Sequence, residues 1–582
     1  MVVILIVGLS MLLRVGYFLE LNSGPCIRQH RWDQSDMSFF HHWAGRIASG
    51  DWLCETVDPP VHDWHRRIAQ LHFHHHPSEL ATIKAKHSGP GGEIDAAQEL
   101  WNKWAGGKRF YQGPAYPYLM ALVYRVCADV RAVFLLQMLA GVATNVLVYL
   151  IARRVFGEVI GVASALMVCL CSPILHHELV LLRESLVVFA TMVMIYLADI
   201  ASCRKRFGWW LAGGIFVGAS LLLKAHFALF AMGAGLLLAF QLRANRTALI
   251  RCMSGFVLGL AIGVSPLAVR NTAVGVPAFA TATSSKPAFA LWNGYEPGAG
   301  VSWRLSAAAE VMGKTAGEGS VVWETLRTHP EPSSFVGLLA AKLARALHWH
   351  ELSDSANFYY YRLHSRFLRF MPVTFFALGP LGIVGMVLAY RQASKCKFLY
   401  LQVFSNFAVL VLFFPVGRFR LPLLAAIAPF AALTLVVLIK SIEEKTYRKA
   451  AAVVAGVVLV GLWTGRPPAE DQPLLRTADF SVPVRVYYEP MIKQAAVKED
   501  WSGAAEIANE LIHYRPGWLD EIGPSCHPGS DHEASLTKWF AQLYRWCGSI
   551  NAKAGNEIQA RRLLRRSEEL SVSLKPGIAA GQ

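Results

Sequence analysis

Asp36 is the residue around which the chemistry of this chain can be organised. It stands in Ser35-Asp36-Met37-Ser38-Phe39-Phe40-His41-His42-Trp43-Ala44, after a first apolar segment, Met1 to Leu21, and a short polar spacer. Phe39, Phe40, Trp43 and Ile47 recur at helical spacing, so a short amphipathic helix is expected to lie on a membrane surface with Asp36 at its amino end. A carboxylate beside lipid is partly desolvated, which makes it a stronger base than one in bulk water. Asp33, Asp51, Glu55, Asp58 and Asp63 crowd the same loop and, taken singly, read as solvated surface charge.

Glu184 supplies a second acid, opening an apolar run after Leu181-Leu182-Arg183. An ionisable group at the mouth of a membrane span is costly and tends to be functional, the plain alternative being a helix cap or a partner for Arg183. Lys224, Arg270, Arg418 and Arg420 follow, each flanked by apolar residues. Together they are what a lipid-linked phosphate needs, because an anion at the bilayer edge must be neutralised where water is scarce. Singly, each could instead snorkel to head groups. The histidines His62, His65, His72, His74, His75 and His76 lack a zinc-type spacing, and adjacent rings do not converge on one ion, so no metal is assigned; a divalent ion is compatible with the chain but not indicated by it.

These groups need a frame that holds them at one bilayer surface, and the composition supplies it. Of 582 residues, 54% are apolar and only 16% charged, which excludes an ordinary soluble protein and indicates a polytopic membrane chain. The surplus of 16 positive charges sits in short loops between apolar runs, a membrane-topology pattern rather than a nucleic-acid face. Spans are expected near Met1–Leu21, Val130–Ile151, Val159–Ile174, Glu184–Ile200, Trp209–Leu223, Phe227–Leu242, Leu249–Val269, Pro372–Tyr390, Phe398–Phe414, Leu421–Ile439 and Ala450–Leu462. The fold class is therefore all-α, a transmembrane helical bundle of about eleven spans.

With the amino end cytoplasmic, Arg153-Arg154, Arg204-Lys205-Arg206, Arg243 with Arg246 and Arg251, Arg391 with Lys395 and Lys397, and Lys440 with Lys445, Arg448 and Lys449 all fall inside. Outer loops 22–131 and 270–371 and the tail then lie on the extracytoplasmic side of a plasma (inner) membrane. The chain divides into a membrane domain, 1–465, and a polar tail, 466–582. In the tail, Trp501-Ser502-Gly503-Ala504-Ala505-Glu506 leading to Tyr514-Arg515-Pro516, and Gly555 with Ala560 leading to Leu574-Lys575-Pro576, resemble degenerate tetratricopeptide hairpins that could engage a protein partner. Cys26 with Cys54 and Cys526 with Cys547 share extracytoplasmic segments, so two disulfides are open to the chain.

The acid after span one with its aromatics and Gly50-Asp51-Trp52 resembles the first outer-loop signature of the GT-C glycosyltransferase superfamily, especially its family 39 branch of protein mannosyltransferase-like and aminoarabinose-transferase-like enzymes. Tyr111-Gln112-Gly113-Pro114-Ala115-Tyr116-Pro117-Tyr118 resembles that branch's Pro-Leu-Tyr-Pro motif, with Ala115 where Leu is usual. Arg183-Glu184, Leu223-Lys224, Pro266 with Arg270-Asn271, Leu291-Trp292-Asn293-Gly294 and Gly417-Arg418-Phe419-Arg420-Leu421-Pro422 follow in the family's order. The histidine-rich insertion and the tail depart from it.

The resemblance implies an inverting transferase that uses a polyprenyl-phosphate-linked sugar and needs no cofactor, acting on a protein, lipid or glycan acceptor. Asp36 is then the general base and Glu184 positions the acceptor or shares that role. Lys224, Arg270, Arg418 and Arg420 bind the donor phosphate, while Tyr116, Trp292 and Asn271 line the substrate. A transporter or flippase of lipid-linked sugar would share the cations but has no use for a fixed outer carboxylate. A membrane-anchored scaffold presenting the tail would need neither.

Overall fold

Apolar runs can cross a bilayer only as helices, because a backbone group left unpaired in hydrocarbon costs several kcal/mol. Here the long apolar runs do form helices. The computed structural model describes residues 1–22, 24–56, 59–86, 95–299, 301–316, 319–466, 479–524, 526–529 and 531–574; Asp58 and Lys575-Pro576 lie outside the described residues. Among the described residues, seven helices are long and apolar enough to span: Val2–Leu21, Val130–Phe156, Glu184–Arg204, Arg246–Ala273, Phe375–Gln392, Gly417–Glu443 and Tyr447–Gly465. Four shorter apolar helices, Glu158–Cys169, Phe207–Leu223, Phe227–Leu242 and Lys397–Leu412, fall on the remaining expected spans. Among the described residues β-pairing is limited to isolated bridges. The chain is an all-α, multi-pass membrane protein.

One expected span ends early. The helix that was to run to Ile174 stops at Cys169, and a new helix, Ser172–Glu178, begins with Pro173 in its first turn. Proline has no N–H to continue the helical ladder, and Ser172 N donates instead to Val373 O at 3.0 Å. This offset buries Glu178 against Arg14 of the first span, 2.6 Å away. Ser10 and Asn145 extend the polar contact, and Gln137 donates to the carbonyls of Glu178 and Val180 at 2.9 Å. A charged pair survives in such a setting only with its hydrogen bonds met by neighbours.

Glycine makes one close helix crossing. Helices Phe207–Leu223 and Arg246–Ala273 meet along Gly214 and Gly218 on one side and Gly255, Gly259 and Gly263 on the other. A Cβ at Gly214 or Gly259 would overlap the partner's backbone, and one at Gly218 would stand 2.6 Å from Leu260 O. Without a hydrophobic drive between helices in lipid, such small-residue contacts supply the association energy.

The helix bearing Asp36 forms as expected over Asp36–Ala48, with Ser35 accepting from Ser38 N at its start. Its apolar face does not lie on the membrane. Phe40, Trp43 and Ile47 are buried in the protein, with Phe40 edge-on to Tyr116 of helix Ala115–Val126 at 5.1 Å and Trp43 Nε1 donating to Cys54 Sγ at 3.2 Å. Protein surface is close enough to take the face that would otherwise be left to lipid.

The first outer loop adds helices Asp63–His75, Pro77–Lys86 and Ala96–Ala105. Its histidines find separate partners: His65 bonds Tyr111 at 2.9 Å and His72 bonds Glu79 at 2.8 Å. Among the described residues no three His, Cys, Asp or Glu side chains gather as metal ligands. All ten cysteines are free thiols, so neither disulfide open to the sequence forms here; Cys26, Cys54 and Cys547 are buried while Cys526 is exposed.

The tail folds into helices Glu489–Val497, Trp501–Leu511, Asp531–Lys553 and Glu557–Val572, the last two an antiparallel hairpin. It leans on the outer loops through Arg485–Asp63 at 2.9 Å, Arg31–Gln494 at 2.7 Å and the Tyr360–Tyr488 hydroxyl pair at 2.5 Å.

Replacing Gly259 by leucine should force the glycine-lined helices apart and cost about 1–3 kcal/mol, the usual range for overpacking. A lowered unfolding midpoint in detergent is the expected reading, and an unchanged one contradicts the close crossing.

Candidate functional site

Charged groups at helix ends gather where several apolar helices begin or finish. Asp36 is the first residue of its helix, Glu184 opens Glu184–Arg204, Lys224 follows Phe207–Leu223, and Arg418 lies in the first turn of Gly417–Glu443. Asp36 Oδ2 accepts from both terminal nitrogens of Arg418 at 3.2 Å, and Oδ1 accepts from Gln112 Nε2 at 3.1 Å. The same guanidinium reaches Asp354 Oδ2 at 2.7 Å, so Arg418 is held between two carboxylates. Both Arg418 and Asp36 are largely buried, with side chains 13% and 15% exposed, so water screens their attraction little.

Phe419 joins this pair to a second one. Lys224 Nζ lies 3.5 Å from the centre of its ring and the Arg418 guanidinium 5.1 Å, both within cation–π reach. Lys224 also donates to Glu184 Oε1 at 3.1 Å. Glu184 Oε2 is buried with no hydrogen-bond partner among the described residues. Arg183 spans the two pairs, donating to Leu223 O at 3.3 Å and lying 5.6 Å from the Phe40 ring.

Desolvation does not make Asp36 the stronger base expected of a carboxylate beside lipid; its neighbours keep it ionised instead. Burial pushes its carboxyl up, but Arg418, followed by His62 and Arg183, outweighs burial and leaves it below the usual carboxylate range. Asp354 goes the other way: burial raises it, Asp36 and Glu184 add repulsion, and Arg418 opposes them without prevailing. Burial lowers His62 despite the pull of both aspartates, so its ring stays neutral near neutral pH; its Nε2 is buried without a partner. Neighbouring carboxyls with pKa values driven apart are a recurring mark of functional sites.

The other expected cations are built into the frame. Arg270 donates to Leu53 O at 2.8 Å, Lys108 O at 2.6 Å and Cys54 O, with Phe110 against its face at 3.9 Å. Arg420 donates to the carbonyls of Ala346, His348 and His350, pairs with Glu351 at 2.8 Å and lies over Phe375. Asn271 donates to the carbonyls of Pro277, Ala278 and Ala280. Each satisfies backbone acceptors of irregular segments near the helix ends, leaving Arg418 and Lys224 as the cations beside the acids.

Tyr116 is buried beneath the Asp36 helix and donates to Gln137 Oε1 at 2.8 Å. Trp292 packs on Phe414 at 5.4 Å, and Phe414 on Phe419 at 4.4 Å, which puts Trp292 one ring from the charged cluster. A narrow cleft opens beside Arg418, lined also by His177, Ser353, Asp354 and Gly417. Gln112, Asp354, His62 and Arg183 are site residues that reading by sequence left without a role. Gln112 and Arg183 lie inside quoted motifs and His62 in the histidine run, whereas Asp354 carries no sequence signal of its own.

Compared with known proteins, residues 111–269 match the family model of dolichyl-phosphate-mannose-protein mannosyltransferases. The match begins beside Gln112 and runs through Arg183, Glu184 and Lys224 to the residue before Arg270. The GT-C resemblance is borne out over that stretch. No curated protein matches the chain. Among solved structures it is similar to the apo oligosaccharyltransferase of Archaeoglobus fulgidus at 13% identity and a TM-score of 0.32, over 80% of this chain and 59% of that one. The same organism's AglB in complex with an inhibitory peptide and a dolichol-phosphate gives 13% identity and a TM-score of 0.33, over 80% and 60% of the two chains. This chain thus spans less than two thirds of those proteins' length.

Because Asp36 has a depressed folded-state pKa, its contribution to stability is present in full above the ordinary aspartate range and is lost as pH falls through the folded value. Wild type should exceed Asp36→Asn in unfolding midpoint by a constant margin above about pH 5, narrowing only in stronger acid. In an Arg418→Met background only His62 and Arg183 remain to oppose burial, so the Asp36 carboxyl rises and the cost of Asp36→Asn should shrink. A margin between wild type and Asp36→Asn that shrinks already between pH 7 and 5 would contradict the depressed value.

Proposed function

We propose that this protein is an integral-membrane glycosyltransferase that moves a sugar from a polyprenyl-phosphate donor to an acceptor hydroxyl on the extracytoplasmic face. The observation that carries the reading is the Asp36 carboxylate, held ionised against Arg418 where the helical bundle ends. The match across 111–269 supports it by covering the strand of sequence that supplies Gln112, Glu184 and Lys224.

Transfer in this site joins the acceptor oxygen to the anomeric carbon as the bond from that carbon to the phosphate oxygen breaks. The acceptor proton passes to Asp36, the bonding pair leaves on the phosphate, and attack opposite the leaving group inverts the anomeric centre. Charge then grows on the departing lipid phosphate. Arg418 and Lys224 are the groups to receive it, and fixed cations in a poorly hydrated site can be worth several kcal/mol. Glu184, with one oxygen on Lys224 and the other unpartnered, can orient the acceptor hydroxyl. Arg270, Arg420 and Asn271 serve by holding the loops that carry these groups. Trp292 offers a face to sugar or isoprenoid beyond Phe414, and Tyr116 supports the Asp36 helix from below.

Orientation follows from the two ends of the bundle. Arg154–Asp199 at 2.8 Å, Arg251 to Lys205 O at 3.1 Å and Lys397 to Ser202 at 2.8 Å tie the end opposite the site, where the basic loops gather. By the positive-inside rule we read that end as cytoplasmic and Asp36 as facing outward, and take the membrane to be the plasma (inner) membrane. The acceptor class on this reading is a protein, lipid or glycan hydroxyl.

Asp36→Asn should lower transfer at least about 100-fold, the scale of a lost general base, while donor binding persists; release of polyprenyl phosphate from a panel of lipid-phosphate sugars measures it. Retained transfer removes Asp36 from the mechanism. Arg418→Ala should weaken donor binding and turnover together. Reporter fusions after residue 574 and within the first outer loop should both report the extracytoplasmic side, and a cytoplasmic signal from either reverses the topology.

A further inference from the structure

The non-helical segment from His348 to Asn357 lies between the start of helix Gly417–Glu443 and the C-terminal tail. On the helix side Gly417 N donates to Leu352 O at 3.1 Å, Arg420 takes the carbonyls of His348 and His350, and Asp354 grips Arg418 at 2.7 Å. On the tail side the contacts converge on one residue. Ser353 Oγ donates to Asp479 Oδ1 at 2.7 Å, and His350 Nε2 lies 3.3 Å from Asp479 Oδ2. Asn357 Nδ2 and Tyr514 Oη both donate to the Asp479 carbonyl. Asp354 thus follows directly on a residue that the tail holds by its side chain.

The tail reaches the other flank of the site as well. Arg485 pairs with Asp63 at 2.9 Å, next in sequence to His62, whose ring interacts electrostatically with both Asp36 and Asp354. A tail that served only as an appendage has no reason to touch both segments that border the charged cluster.

We propose that Asp479 is a positioning residue for the site: through Ser353 and His350 it sets Asp354 against Arg418, and so fixes where the guanidinium stands relative to Asp36. The tail then belongs to the catalytic arrangement. This rests on the transferase reading above, in which Arg418 must meet the donor phosphate while Asp36 meets the acceptor. A misplacement of about 1 Å at such a centre can cost up to about 100-fold in rate.

The full-length protein in detergent or nanodiscs, with a polyprenyl-phosphate sugar that the wild type accepts, allows the test. Asp479→Ala should lower kcat about tenfold with the acceptor KM unchanged, and Ser353→Ala should do the same to a smaller degree. The double variant should be no worse than Asp479→Ala, because both remove one bond. Amide exchange should quicken in 348–357 while Asp531–Lys553 and the spans keep their protection. Unchanged exchange in 348–357 overturns the inference whatever the transfer assay reads. Quickened exchange with wild-type turnover, or an additive double variant, overturns it too. If Asp479→Ala unfolds the tail, Ser353→Ala, which leaves the tail intact, decides by the same two readings. A wild type that releases no lipid phosphate from any donor refutes the transferase reading instead, while the exchange result still reports on the tether.

Discussion

A guanidinium shared by two carboxylates is the interaction on which the site depends. Arg418 is fixed by the first turn of a long buried helix, whereas Asp36 comes from the start of another helix and Asp354 from the irregular segment 348–357, both far earlier in the sequence. Where water is scarce, neither acid could be buried as an ion without that cation. Asp36 has His62 and Arg183 beside Arg418 and stays charged; Asp354 meets repulsion from Asp36 and Glu184 on top of burial and is driven up. The neighbours around one shared arginine thereby create two unlike carboxyls.

The remaining cations answer a different need. Long loops close to the ends of membrane helices carry carbonyls that must be paired, since irregular backbone is tolerated at that depth only when buried in protein. Arg270, Arg420 and Asn271 each gather several such carbonyls, and Arg14 performs a similar service for Glu178 deeper in the bundle. The site is therefore held from outside by residues of the same type as those within it.

This duplication explains what could and could not be read from sequence. Span positions were legible because runs of about twenty apolar residues have one physical outcome in lipid, and the exception at Cys169 turned on a single proline. Asp36, Glu184, Lys224 and Arg418 stood out as charges at span ends. Arg270 and Arg420 carried the same signature, yet which N–H groups are left for a ligand depends on where loop carbonyls point, and no local pattern encodes that. Gln112 reaches Asp36, and Asp354 reaches Arg418, from distant segments through tertiary packing. The face of the Asp36 helix was legible while its partner was not: Phe40, Trp43 and Ile47 mark an apolar stripe whether lipid or Tyr116 lies opposite.

The glycine-lined crossing of Phe207–Leu223 and Arg246–Ala273 has a mechanical corollary. Lys224 follows the end of one of these helices and Arg270 lies in the last turn of the other, one beside the acids and the other clamping the loop at Leu53. Backbones locked at such close range cannot slide or splay without losing their whole contact surface. The pair acts as a stiff girder between the cluster and its loop, so on the transferase reading proposed above an isoprenoid chain would enter alongside it, through the neighbouring helices, and not by prising it open.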